Sequence, residues 1–116
     1  MKDYYGKLEY EDKVYKLPFN MNVMEEIQEK YGSIDKWGEL TDGVEGGEPN
    51  AKAIIFGFTA MINEGIEIEN EENGTKLKKF TTKQVGRIIT EVGLKVALAT
   101  LNNTVTESTK SDEKNA

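Results

Sequence analysis

Apolar residues recur at helical spacing over residues 51–64, and this stretch is the strongest pattern in the chain. The positions follow i, i+3, i+4 and i+7, which is typical of a helix that buries one face. They are Ala51, Ile54, Ile55, Phe58, Met61 and Ile62. Pro49 and Asn50 favour a helix start here, and the sequence Asn63–Gly65 favours a stop. We therefore predict a central buried helix over residues 51–64.

Polar and apolar residues alternate before this helix, and residues 5–19 are typical of a β-hairpin. With Asp12 and Lys13 as a two-residue turn, Leu8 pairs with Leu17. One face of the hairpin then collects the large apolar side chains. That face consists of Leu8, Tyr10, Tyr15 and Leu17.

Further helical patterns flank the central helix on both sides. We predict a helix that begins at Asn20 or, with a competing capping box of Asn22 and Glu25, two residues later, and that ends at Gly32. A shorter helix then begins at Ser33. A glycine-rich loop is expected over residues 41–48. A late helix begins at Thr81 with the pattern of a capping box, and Gly93 either kinks it or divides it in two.

Residues 66–80 allow two interpretations. The Asn73-Gly74 pair favours a hairpin turn, with acidic residues before the turn opposite lysines after it. The segment has few apolar residues, however, so a long surface loop fits equally well. The sequence leaves this choice open.

These elements predict an α+β fold that is mostly α. An N-terminal β-hairpin is followed by four to five helices around the central helix. We expect a single domain over residues 1–105, with the hairpin at 5–19 and the helical body at 20–105. Residues 106–116 contain no large apolar side chain, which predicts a disordered polar tail.

Composition narrows the classes of function. The formal net charge is −6, whereas nucleic-acid binding needs a basic face, so no nucleic-acid partner is expected. The apolar run in the central helix is too short to cross a bilayer, and no apolar leader opens the chain, which favours a cytoplasmic protein without a membrane partner.

The chemistry of the side chains points away from catalysis. The chain has neither histidine nor cysteine, so the commonest general base, the thiol nucleophile and the usual zinc ligands are absent. No acidic residue stands in an apolar stretch that would raise its pKa. We therefore expect no catalytic residue, no metal site and no cofactor, and a protein whose role is to bind another protein.

Large aromatic side chains are the candidates for contacting such a partner. Tyr4 and Tyr5 precede the hairpin and are the least easily assigned to a core. Tyr31 lies on the predicted apolar face of the first helix, and Trp37 also has the helical spacing of a core residue. The candidate partner-binding residues are thus Tyr4, Tyr5, Tyr31 and Trp37.

Three passages of the chain together resemble a known family. They read Leu-Pro-Phe-Asn-Met-Asn-Val-Met-Glu-Glu-Ile at 17–27, Lys-Tyr-Gly-Ser-Ile at 30–34 and Thr-Thr-Lys-Gln-Val at 81–85. This arrangement resembles the tail assembly chaperones of long-tailed phages and prophages of low-GC Gram-positive bacteria. The resemblance implies a non-enzymatic protein that binds the tape measure protein in the cytoplasm of the bacterial host. It also implies that binding keeps the apolar helices of that partner soluble during tail morphogenesis.

Two other functions fit the same sequence. A small virion structural protein, such as a tail completion or connector subunit, would form a closed homo-oligomer without any partner. An acidic protein-binding regulator would need its acids aligned on one face, whereas here they are dispersed. Whether the chain forms a homo-oligomer is left open.

Overall fold

The computed structural model describes residues 5–42 and 48–115, with side chains described for residues 6–42 and 48–106. The described chain forms two strands followed by five helices. They are β1 (Tyr5–Tyr10), β2 (Lys13–Pro18), α1 (Met21–Tyr31), α2 (Ile34–Asp42), α3 (Ala51–Asn73), α4 (Thr82–Val92) and α5 (Leu94–Asn115). The predicted class, α+β and mostly α with an N-terminal hairpin, is confirmed.

The hairpin turns at Glu11 and Asp12, one residue earlier than predicted. Both residues have positive φ angles, 51° and 62°, as a type I′ turn requires. Leu8 consequently pairs with Tyr15 rather than with Leu17. Each β1 residue thus pairs two positions earlier along β2 than predicted. Because side chains alternate between faces, a shift of two residues leaves the predicted apolar face unchanged. The twist of the I′ turn matches that of the strands, and this outweighs the absence of the favoured Asn-Gly pair.

Helix α3 is longer than predicted, because Gly65 does not end it. Its backbone continues to Asn73, and Gly74 then takes the left-handed conformation, with φ of 66°. Gly65 is instead a point of close contact. A Cβ atom at Gly65 would lie 2.6 Å from the carbonyl oxygen of Lys16 in β2. The glycine that suggested a helix stop therefore allows a strand to cross the helix.

Residues 66–80 form neither the hairpin nor the continuous loop that the sequence left open. The first half completes α3, and the Asn73-Gly74 pair ends that helix instead of turning a hairpin. Residues 74–81 form neither helix nor strand, and they run back along α3. We call residues 74–81 the return segment.

The core is arranged around α3, which contacts β2, α1, α2 and α4. Four of the six residues on the predicted apolar face of this helix are buried, namely Ile54, Phe58, Met61 and Ile62, whereas Ala51 is exposed. Ile88 and Ile89 of α4 are buried in the same core. Ile55 and Leu98 are only partly buried and pack against this core. A central helix is thus confirmed, with an extent greater than the predicted 51–64.

Helices α4 and α5 meet at Gly93 and are separate. Gly93 has φ of 104° and ψ of 131°, which no helix interior adopts. The predicted capping box is confirmed, since Thr81 and Gln84 each bond the other's backbone N–H. Helix α5 then crosses β1 so closely that a Cβ atom at Gly6 would overlap the hydroxyl of Thr104. The hairpin is therefore held between α3 and α5.

The C-terminal region differs from the predicted disordered tail at 106–116, since the backbone of α5 stays helical to Asn115. Each residue that extends a helix already nucleated by packing gains one hydrogen bond without a new nucleation cost, and this favours continuation. The side chains from residue 107 onward lie outside the described residues. The same is true of residues 43–47 in the predicted glycine-rich loop, whereas Thr41 belongs to α2 and is buried.

Two glycine substitutions test the crossing of α3 and β2. Alanine normally stabilises a helix interior by about 1 kcal/mol over glycine. We expect that gain for Gly38→Ala in α2, where a Cβ atom would meet nothing within 4 Å. Gly65→Ala should instead destabilise by about 1–3 kcal/mol, because the obstructing atom belongs to the backbone. Urea denaturation of both variants measures the difference, and a stabilised Gly65→Ala would contradict the close crossing.

Candidate interaction groove

An open groove lies between β2, the second half of α3 and the return segment. Its cavity volume is about 230 Å³. Apolar side chains from all three elements line it, together with three lysines and one glutamate. We call this site the groove, and it brings together residues that are far apart in the sequence.

The floor of the groove is a short stretch of α3. Ile62, Gly65 and Ile66 lie on one side of the helix because they are three and four residues apart. Ile62 and Ile66 are buried, and Gly65 between them presents no side chain. The floor is therefore apolar and lies close to the β2 backbone.

One wall of the groove is the return segment, which two asparagines of α3 hold in place. The Asn70 amide accepts a hydrogen bond from the Leu77 N–H (2.9 Å) and donates one to the Leu77 carbonyl (3.0 Å). The Asn63 amide likewise accepts a hydrogen bond from the Phe80 N–H (2.8 Å) and donates one to the Phe80 carbonyl (2.9 Å). We call these paired contacts the asparagine clamps. Each satisfies both backbone polar groups of a residue that has no strand partner.

The opposite wall is β2. The ring of Tyr15 meets the ring of Phe80 edge-on, with centroids 5.4 Å apart, and so joins the two walls. Lys13 places its ammonium group 5.3 Å from the centre of the Tyr15 ring. Val14 is 51% exposed.

The charge of the groove opposes that of the whole chain. Lys13, Lys16 and Lys78 line it with Glu69 as the only acid among the lining residues. The complete chain has a formal net charge of −6. The groove is thus a locally basic and apolar site on an acidic protein.

Of the aromatic candidates from the sequence, Tyr31 and Trp37 do not line the groove. Tyr4 lies outside the described residues, and Tyr5 begins β1 with its side chain outside them. Tyr31 is half-buried at the end of α1, where its ring packs edge-on against Phe56 with centroids 5.6 Å apart. Its hydroxyl is buried without a hydrogen-bond partner, and this loss of solvent raises the pKa of Tyr31.

Trp37 belongs to the core and is not available to a partner in this conformation. Its side chain is 2% exposed and stacks on Phe19 with ring centroids 6.2 Å apart. The indole N–H donates to the carbonyl of Ala53 at 2.9 Å, which satisfies its polar group inside the core. Gly57 on α3 leaves room for the ring. Trp37 and Tyr31 thus both pack on the first half of α3, away from the groove.

The sequence did not predict the groove, because the central helix was expected to end at residue 64. Asn63 and Asn70 are seven residues apart, which places them on one face of a continuous helix. That spacing is the signal that could have revealed a chain segment bonded along the helix. The spacing of Asn63 and Asn70 is informative only if the helix continues through Gly65.

A second polar cluster joins α1 to α3. Glu64 accepts hydrogen bonds from the side chains of Asn20 (2.7 Å) and Asn22 (3.0 Å). Glu67 forms an ion pair with Lys79, 2.5 Å apart. Partial burial, followed by the nearby charge of Glu64, raises the pKa of Glu26. The folded protein therefore binds a proton at Glu26 more tightly than the unfolded chain does.

Two further findings concern the described residues alone. No group of three or more acidic side chains there is arranged to hold a metal ion. None of the described helices combines the length and the apolar character needed to cross a bilayer.

Comparisons with known proteins add no relative. A scan of protein-family models, a search of curated proteins and a search of solved structures each found no match to this chain.

The asparagine clamps can be tested by truncation. Asn70→Ala removes both hydrogen bonds to Leu77 and should cost about 1–3 kcal/mol, because the backbone groups lose their partner. Asn102→Ala, at an exposed position of α5, serves as the control and should change stability by less than about 0.5 kcal/mol. Chemical denaturation gives both values. Equal stability of the two variants would show that the clamp does not hold the return segment.

The raised pKa of Glu26 predicts that removing its charge increases thermal stability in a pH-dependent way. A carboxyl group whose pKa is raised on folding favours the folded state at low pH and loses that contribution as pH rises through the folded pKa. Glu26→Gln should therefore raise the melting temperature at pH 7. The gain should vanish below the ordinary carboxyl pKa of 4.5. Glu29→Gln removes the same charge elsewhere on α1 as the control, and an equal or larger gain from it at pH 7 would contradict the assignment.

Proposed function

We propose that this chain is a non-enzymatic phage tail assembly chaperone. It binds the tape measure protein and keeps it soluble during tail morphogenesis, in the cytoplasm of the bacterial host. The observation that best supports this role is the apolar surface that a well-packed helical body leaves open. The partner is a protein, with neither nucleic acid nor membrane required.

The residues behind the family resemblance mark the boundaries of structural elements. Asn20 caps α1 by accepting from the Val23 N–H at 3.1 Å, and Gly32 follows that helix with φ of 92°. Thr81 caps α4. Such residues specify where helices begin and end, so the resemblance supports a shared architecture more directly than a shared binding surface.

Exposed apolar side chains supply the means of binding. Among the residues whose side chains are described, four large apolar ones are about half exposed or more: Val14 at 51%, Met21 at 76%, Leu94 at 49% and Val96 at 54%. Covering apolar surface contributes about 25 cal/mol per Å². A partner with apolar helices therefore gains free energy here without any unfolding of the chaperone.

Co-expression tests the proposal. A fragment of the tape measure protein from the same genome should stay soluble with this chain and precipitate without it. The double variant Leu94→Glu/Val96→Glu should lower the soluble yield, because it places charge on apolar surface that the partner would cover. Lys95→Glu, between the two positions and also exposed, is the matched control and should leave the yield unchanged.

Two results would contradict the chaperone role. The first is a fragment that remains insoluble, with no complex recovered. The second is a stable closed ring of this chain alone, which would favour the virion structural protein.

A further inference from the structure

We propose that the groove binds an extended peptide segment, which adds as a third strand to the outer edge of β2 and carries acidic side chains beside its apolar ones. This assignment concerns the local chemistry of the groove and does not depend on which protein supplies the segment. It rests on the direction of the β2 backbone groups, the shape of the groove and its charge.

The backbone of β2 directs alternate residues away from β1. In an antiparallel pair, the N–H and C=O groups of successive residues point in turn toward the partner strand and away from it. The close contact between the Lys16 carbonyl and Gly65 shows that Lys16 faces α3 and not β1. Val14, two residues earlier, therefore directs its backbone groups to the same outer side.

Helix α3 covers only part of this outer edge. It crosses β2 at Lys16 and Pro18, and proline has no N–H to offer. Val14 remains 51% exposed and lies on the groove. An extended chain placed there can exchange backbone hydrogen bonds with Val14, which is the usual mode of strand addition at a sheet edge.

The groove suits a strand better than a helix. A helix with its side chains is about 10 Å wide, whereas neighbouring strands lie only about 5 Å apart. A cavity of about 230 Å³ accommodates a few side chains from one face of a strand. Ile66 and Leu77 supply the apolar contacts for those side chains.

The lysines determine which segment is favoured. Lys13, Lys16 and Lys78 outnumber Glu69 in the lining, so carboxylates on the bound segment are attracted and ammonium groups are repelled. A second copy of this chain joined at the same edge would double the local excess of lysine. Lysines on an exposed edge also discourage unselective strand pairing.

The first test uses a fluorescein-labelled heptapeptide of alternating glutamate and valine, titrated with the full chain. Saturable binding is expected, and a peptide with lysine in place of glutamate should bind at least tenfold more weakly. The variant Lys13→Glu/Lys78→Glu should weaken binding of the acidic peptide at least tenfold. The control Lys36→Glu/Lys52→Glu changes the charge equally at two exposed positions outside the groove and should bind as the parent does.

The second test isolates the backbone contacts. Two versions of the acidic peptide carry N-methyl groups on alternate residues, one on the odd-numbered positions and one on the even-numbered positions. The methyl groups remove backbone hydrogen-bond donors but keep every side chain. One version should lose binding and the other should keep it, since a strand bonds β2 along one edge only. In the intact protein, the peptide should slow hydrogen exchange at the Val14 amide.

Four outcomes would overturn the proposal. Two concern the peptides: the acidic peptide shows no saturable binding, or both N-methylated peptides bind equally. The third is equal binding of the acidic peptide by the groove variant and its control. The fourth is that the chain associates with itself and that Lys13→Glu/Lys78→Glu abolishes this association. The last outcome would assign the groove to a second copy of the chain. None of them depends on the tape measure fragment, so this proposal and the chaperone proposal can fail separately.

Discussion

The close crossing of α3 and β2 at Gly65 is the constraint on which the rest of the structure depends. It allows the hairpin to lie directly on the central helix, where the hypothetical Cβ atom would come within 2.6 Å of a carbonyl oxygen. The helix continues beyond the crossing, and this second half provides both the floor of the groove and Asn70. The return segment can pack beside β2 only because the helix passes the strand at this distance.

Local chemistry determined the parts of the fold that the sequence predicted well. The capping box at Thr81 and the helical spacing of Phe58 and Met61 involve neighbours along the chain, so a pattern in the sequence is sufficient to predict them. The apolar face of the hairpin was also predicted correctly, although the turn was misplaced by one residue. Alternation fixes which side chains share a face, but only the geometry of the turn fixes which ones stand opposite.

The parts that could not be predicted depend on contacts between distant segments. Gly65 has the appearance of a helix stop unless the strand that crosses it is known. Asn63 and Asn70 appear to be ordinary polar residues until the return segment is placed beside them. Trp37 was named as a candidate contact residue, yet space above Gly57 and a hydrogen bond to Ala53 place it in the core. The groove depends on three such contacts between segments far apart in the sequence, and no short sequence motif indicates it.

The asparagine clamps have a geometric consequence for the length of the chain. Asn63 and Asn70 are two helical turns apart, a rise of about 10.5 Å. Leu77 and Phe80, their partners, are three residues apart in extended chain, which spans about 10 Å. These two distances are nearly equal, so the helix and the extended segment run antiparallel with both asparagines opposite their partners. A single residue inserted between Leu77 and Phe80 would shift the extended segment by about 3.3 Å. One clamp would then lose its partner, however well the inserted residue suited an extended conformation.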